Sequence, residues 1–150
     1  MNTAVTIGLA LVHVGVAAAW VGGMAYSLFV VQPKVKRFFA ADGDGREAFT
    51  MVIASGNRWK VVGLIAVIAL TGAGLLVIDH ADWQIHVVKG VLLLIATGIF
   101  WYVSWCHWPQ RVFATTAELP KFQSRLVTLA TTMLGLAGTA FALGVVAVHR

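Results

Sequence analysis

The residues best suited to chemistry in this sequence are histidines and one lysine inside or beside long apolar stretches. His13 lies within the first stretch, His86 and Lys89 lie at the start of the third, and His80 lies just before it. A neutral imidazole is a good ligand for iron and copper, and a lysine ammonium can pair with a carboxylate of a bound cofactor. His86 and Lys89 are three residues apart, so on a helix they share one face. These residue types indicate a metal or haem site.

His13 is the strongest candidate ligand. It lies about ten residues into an apolar segment, or roughly 15 Å along a helix axis, where an ionisable side chain is costly and usually faces a protein interior. The alternative is a neutral histidine that only bonds a neighbouring helix. Trp20 follows seven residues later on the same face of the helix. Its indole either lines a cofactor or packs in the protein core. Lys89 either meets a cofactor anion or extends its ammonium to the membrane surface.

Transmembrane helices must position these residues. Hydrophobic residues make up 59% of the chain and charged residues 11%, well outside the composition of soluble domains. A bilayer core takes about 20 apolar residues per helix, and the continuous apolar runs lack the alternation of barrel strands. The prediction is a single all-α domain over residues 1–150, an integral membrane four-helix bundle with helices at about 4–31, 61–78, 84–106 and 126–148.

Basic residues are concentrated in two connecting segments. The segments 32–60 and 107–125 together hold nine of the eleven lysines and arginines. The positive-inside rule places both segments in the cytoplasm and both termini outside. This orientation accounts for the basic charge, so no nucleic-acid partner is expected. It also gathers one set of polar residues in the outer half of the membrane: His13, His80, His86, Lys89 and His149.

The connecting segments carry further signals. Pro33 is expected to end the first helix, and Pro109 and Pro120 are expected to bracket the second cytoplasmic segment. Phe49–Ala54 is expected to form an interfacial helix. The run Cys106-His107-Trp108 is typical of an aromatic belt at the cytoplasmic surface rather than of a ligand pair. Small residues in the second and fourth helices indicate close packing or room for a flat cofactor.

Three stretches of this sequence resemble known membrane proteins. Val12-His13, then the run Ala-Trp-Val-Gly-Gly-Met-Ala-Tyr at 19–26, resembles the first helix of the CopD-like copper-resistance membrane proteins. Leu70–Leu76 resembles their next helix and Val87–Leu94 their lysine-bearing one. The chain is also similar to the HemJ-type family, four-helix proteins of about this length that bind haem b and take part in protoporphyrinogen oxidation.

The resemblance implies a function and a set of residues. His13 matches the first-helix histidine expected to ligate iron or copper, Lys89 matches the family lysine, and His86 lies where HemJ-type sequences have a histidine. His86 is expected nearly two turns closer to the surface than His13. The favoured function is haem b binding with a redox role, as in a haem-dependent membrane oxidoreductase, with the cofactor held by His13, His86, Lys89 and Trp20.

Copper transport or copper tolerance is the alternative function, with a copper site formed by His13, His86 and His80. Cu(I) prefers thiolate and thioether ligands, yet no methionine lies beside the outer histidines, which favours haem. A third interpretation is an accessory subunit of a larger membrane complex. In each case we expect a multi-pass protein of the bacterial inner (plasma) membrane, surrounded by lipid, as a homo-oligomer or with a partner subunit.

Overall fold

The computed structural model describes residues 3–78 and 83–148, with side chains as far as residue 146. Within these ranges the chain forms seven α-helices and two short π-helical segments, and no strand. The all-α prediction is therefore confirmed. The α-helices are α1 (Thr3–Tyr26), α2 (Gln32–Phe38), α3 (Gly43–Ala54), α4 (Asn57–Ile78), α5 (Trp83–Tyr102), α6 (Trp108–Val112) and α7 (Leu119–Val148), and the π-helical segments are Ser27–Val31 and Val103–His107.

Four helical segments are long and apolar enough to cross a membrane. They cover Thr3–Phe38, Gly43–Ile78, Trp83–Val112 and Leu119–Val146. Many of their large apolar side chains are exposed on the outside of the bundle, as expected where lipid is the solvent. The chain is a multi-pass membrane protein built as a four-helix bundle.

The bundle consists of two helical hairpins. α1 packs mainly on α4, α5 packs mainly on α7, and α1 also contacts α7. The central core takes one buried residue from each span: Trp20, Ile68, Ala96 and Ala137. Two of these four residues are alanines, whose small side chains let helices approach closely at this level.

Each π-helical segment lies just before a proline. The N–H of Gln32 donates to the Ser27 carbonyl, five residues back, and Pro33 is then the second residue of α2. A proline is tolerated there because an N–H in the first turn of a helix lacks a partner in any case. The expectation that Pro33 ends the first helix is therefore wrong, because the span continues to Phe38.

The second hairpin repeats this arrangement. The N–H of Trp108 donates to the Val103 carbonyl, and Pro109 is the second residue of α6. Pro109 and Pro120 lie on either side of the loop 113–118, as expected, but each is the second residue of a helix, of α6 and of α7. His13 lies twenty residues before Pro33, and Lys89 lies twenty residues before Pro109.

The connection between α2 and α4 includes α3. The Asp42 side chain accepts a hydrogen bond from the Gly45 N–H at 2.8 Å and caps α3, so this helix begins well before the expected Phe49. Gly56 separates α3 from α4 with a φ of 71°, a left-handed conformation that favours glycine.

Candidate functional site

His13 is held by a hydrogen bond between the two helices of the first hairpin. Its Nδ1 lies 2.8 Å from the Thr71 hydroxyl on α4. The same hydroxyl lies 2.6 Å from the Val67 carbonyl and 3.2 Å from the Ile68 carbonyl, both on its own helix. Thr71 is buried and His13 is half-buried, so the hydrogen bond is largely shielded from lipid and water.

This geometry favours one tautomer of His13. A hydroxyl has one hydrogen, and Thr71 donates it to a carbonyl of α4. When the hydroxyl donates to that carbonyl, it can only accept from the imidazole, and the ring proton then lies on Nδ1 of His13. In this tautomer the other nitrogen, Nε2, carries the lone pair. A histidine oriented in this way by its second nitrogen is typical of metal ligands.

Two glycines make room for the polar side chains. A Cβ at Gly72 would lie 3.1 Å from Cε1 of His13, and a Cβ at Gly144 would lie 3.0 Å from Nζ of Lys89. The imidazole thus packs on the backbone of α4, and the ammonium packs on α7. In both hairpins a polar residue of the first helix lies against a glycine of the second.

Lys89 and His86 lie near enough to His13 for their charges to act on it. Lys89 makes no hydrogen bond or ion pair with any residue of the described ranges, so its ammonium is available for an anion. His13 and Lys89 each lie twenty residues before the proline of their own span, and His86 lies about one helical turn before Lys89.

The other expected site residues are distributed differently. Trp20 is buried in the central core, where it packs with Ile68 and Ala96. His80 and His149 lie outside the described residues. Across residues 3–78 and 83–148, no three histidine, cysteine or acidic side chains come together as a group that could hold a metal ion.

The half of the bundle that carries the basic segments contains a buried ion pair that the sequence did not reveal. Arg111 donates to both carboxylate oxygens of Glu47, at 2.7 and 2.8 Å, and so ties α6 to α3. Its guanidinium also lies 5.2 Å from the Trp108 ring. Arg111 is only 4% exposed. A two-bond pair of this kind fixes the orientation of both helices.

His107 is also buried, which differs from the expected position in an interfacial belt. Its Nε2 lies 3.2 Å from the Phe122 carbonyl on α7, and its ring packs edge-on against the Phe122 ring at 5.4 Å. Cys106 is exposed, so these adjacent residues face different surroundings. His107 therefore joins α7 to the π-helical segment at Val103–His107.

Arg58 supplies a hydrogen bond that Pro109 cannot make. In the i to i−5 pattern of Val103–His107, the next N–H would come from Pro109, which has none, and would leave the Ser104 carbonyl unpaired. The Arg58 guanidinium donates to this carbonyl at 2.5 Å and lies 4.7 Å from the Trp105 ring. An arginine at the start of α4 thus stabilises the break in the third span.

Comparisons of this chain with protein-family models, with curated proteins and with solved structures find no significant match.

Proposed function

We propose that this protein binds haem b in the outer half of a bacterial plasma membrane and uses it in electron transfer, with His13 as an axial ligand. The observation that carries the proposal is the hydrogen bond from Nδ1 of His13 to the Thr71 hydroxyl, because it leaves Nε2 able to bind iron. The resemblance of the first and third spans to the HemJ-type family agrees with this function.

The residues present fit the chemistry of a haem site. His13 would supply Nε2 as a neutral ligand, and Thr71 would hold the ring by its second nitrogen. Gly72 allows the imidazole to lie against α4, where a larger residue would displace it. When bound, haem supplies one-electron redox chemistry.

Lys89 would neutralise a negative charge. An ammonium within an apolar bundle is costly unless it meets an anion or reaches the surface. Haem b carries two propionates, and Lys89 lies against Gly144 of the helix pair that faces His13. A propionate paired with Lys89 would orient the ring between the two hairpins. His86, about one turn further out, is the candidate for a second axial ligand.

Copper is the alternative cofactor. It would need imidazoles from His13, His86 and His80, and the last of these lies outside the described residues. Haem iron is held by one or two protein ligands, and His13 with its oriented ring would supply the first of them.

An absorption spectrum tests the proposal. The wild-type protein, produced in haem-supplied cells and purified in detergent, should show a Soret band, and His13→Ala should lose or strongly shift it. His86→Ala distinguishes the ligand sets, because only a two-histidine site makes both substitutions severe. Copper found by elemental analysis with no Soret band would favour the copper site. A full Soret band in His13→Ala would refute this assignment of the ligand.

A further inference from the structure

A wide apolar cleft opens between the spans in the cytoplasmic half of the bundle. Its volume is about 1200 Å³, and all four spans contribute to its walls. Trp20, Leu64, Phe100 and Leu126 lie along its apolar part. The lining of an unfilled cleft loses dispersion contacts, so within a bilayer apolar chains are expected to fill it.

All the charged residues that line the cleft are basic. Lys36, Arg46 and Arg58 line it, and no carboxylate does so among the described lining residues. Arg58 already donates to the Ser104 carbonyl. Lys36 and Arg46 have neither a hydrogen bond from their side chains nor an ion pair within the described ranges. Two unpaired cations thus lie beside a large apolar space.

We propose that this cleft binds an anionic phospholipid, with its phosphate at Lys36 and Arg46 and its acyl chains along the apolar walls. The arrangement of cations beside an apolar space matches the division of a phospholipid into headgroup and tails. Basic pockets between transmembrane helices on the cytoplasmic side are recognised lipid headgroup sites. The proposal is independent of haem, since the cleft lies at the opposite end of the bundle from His13.

Charge also argues against a second copy of this chain as the occupant. The cytoplasmic segments 32–60 and 107–125 carry nine basic residues and four acidic ones, and one of the acids, Glu47, is already paired with Arg111. Two such surfaces would repel each other. An anionic lipid supplies the charge that the cleft lacks.

Removing the two cations gives the first test. The full-length protein, stripped of lipid in detergent, would be titrated with phosphatidylglycerol or phosphatidylcholine, and bound lipid would be counted by native mass spectrometry. We expect wild type to prefer phosphatidylglycerol. K36Q/R46Q should bind this lipid about 30-fold more weakly, since each basic residue near an anionic headgroup strengthens the binding of that headgroup. The matched control is K34Q/R37Q, which removes the same charge from exposed residues that do not line the cleft.

Filling the cleft gives the second test. Gly23 lines the cleft, whereas its neighbour Gly22 does not, and a Cβ at either position meets nothing within 4 Å. Gly23→Leu should therefore reduce phospholipid binding, and Gly22→Leu should not, while both keep the helical circular dichroism of wild type. The proposal is overturned if wild type shows no preference for phosphatidylglycerol, if both charge pairs weaken binding equally, or if Gly23→Leu binds like Gly22→Leu. A stable dimer that excludes phosphatidylglycerol would overturn it as well.

Discussion

Replacing Thr71 with valine tests how His13 is held. Valine keeps the branched shape of threonine, so the packing of α4 against α1 should be retained. The substitution removes the hydroxyl that lies 2.8 Å from Nδ1 of His13. The imidazole then loses the partner that orients its ring and fixes its proton. We expect Thr71→Val to weaken haem binding more than it weakens the fold.

The two effects differ in size. An interhelical hydrogen bond in a membrane protein contributes about 0.6 kcal/mol on average and at most about 1.7 kcal/mol. Loss of a group that orients a metal-bound histidine typically lowers metal affinity by about 10- to 100-fold, which is about 1.4 to 2.7 kcal/mol. The haem dissociation constant should therefore rise at least tenfold, while the apo protein melts only a few degrees lower.

Thr97→Val is the matched control. Thr97 also lies in a span and is half-buried, but its hydroxyl donates to the Leu93 carbonyl of its own helix at 2.7 Å. Haem would be titrated into each detergent-purified apo protein and followed by Soret absorbance, with a melting curve for the apo form. Equal haem affinity in Thr71→Val and Thr97→Val would refute the role of the Thr71 hydroxyl.

Three further predictions concern charge. Lys89→Met keeps the side-chain length and removes the ammonium, so haem should dissociate faster, whereas unchanged retention would mean that Lys89 only reaches for the membrane surface. Glu47→Gln should lower the free energy of unfolding by about 3 kcal/mol, because it leaves the buried Arg111 guanidinium without a charged partner; unfolding in detergent measures this. Reporter fusions after Asp44 and after Arg150 should report cytoplasm and outside respectively.

Each of these three predictions has a control variant or an outcome that would contradict it. Lys34→Met removes an exposed lysine of α2 and should leave haem retention unchanged. Glu118→Gln removes an exposed carboxylate that bonds only the nearby Thr115, and it should cost much less stability than Glu47→Gln. Fusions that report the reverse orientation would place His13 in the cytoplasmic half and contradict the outer location of the site.

Composition and hydropathy predicted the fold because each span is a continuous apolar run. They did not predict where the spans end, since a proline can occupy the first turn of a following helix. Pro33 shows this. In the π-helical segment before it the hydrogen bonds reach five residues back, so the N–H that proline lacks does not end the helix and the span continues. A break at such a proline can be predicted from sequence, but the shift to an i to i−5 pattern cannot.

The candidate site was predicted in part. His13 stood out because an ionisable residue deep in an apolar span is rare. Thr71 was missed, although it has the only polar side chain between Val61 and Ile78, because pairing it with His13 requires the relative rotation and depth of two helices. The Glu47–Arg111 pair joins residues 64 positions apart, and no local pattern connects them.

Imidazole rescue of His13→Gly tests the central claim most directly. Glycine leaves a space where the His13 ring packs on α4, and free imidazole is small enough to enter it. The variant should lack the wild-type Soret band, and added imidazole should restore that band with the spectrum of a histidine-ligated haem. A His13→Gly protein that keeps the wild-type spectrum without imidazole would contradict the assignment of His13 as the axial ligand. A folded variant that binds no haem at any imidazole concentration would contradict it too.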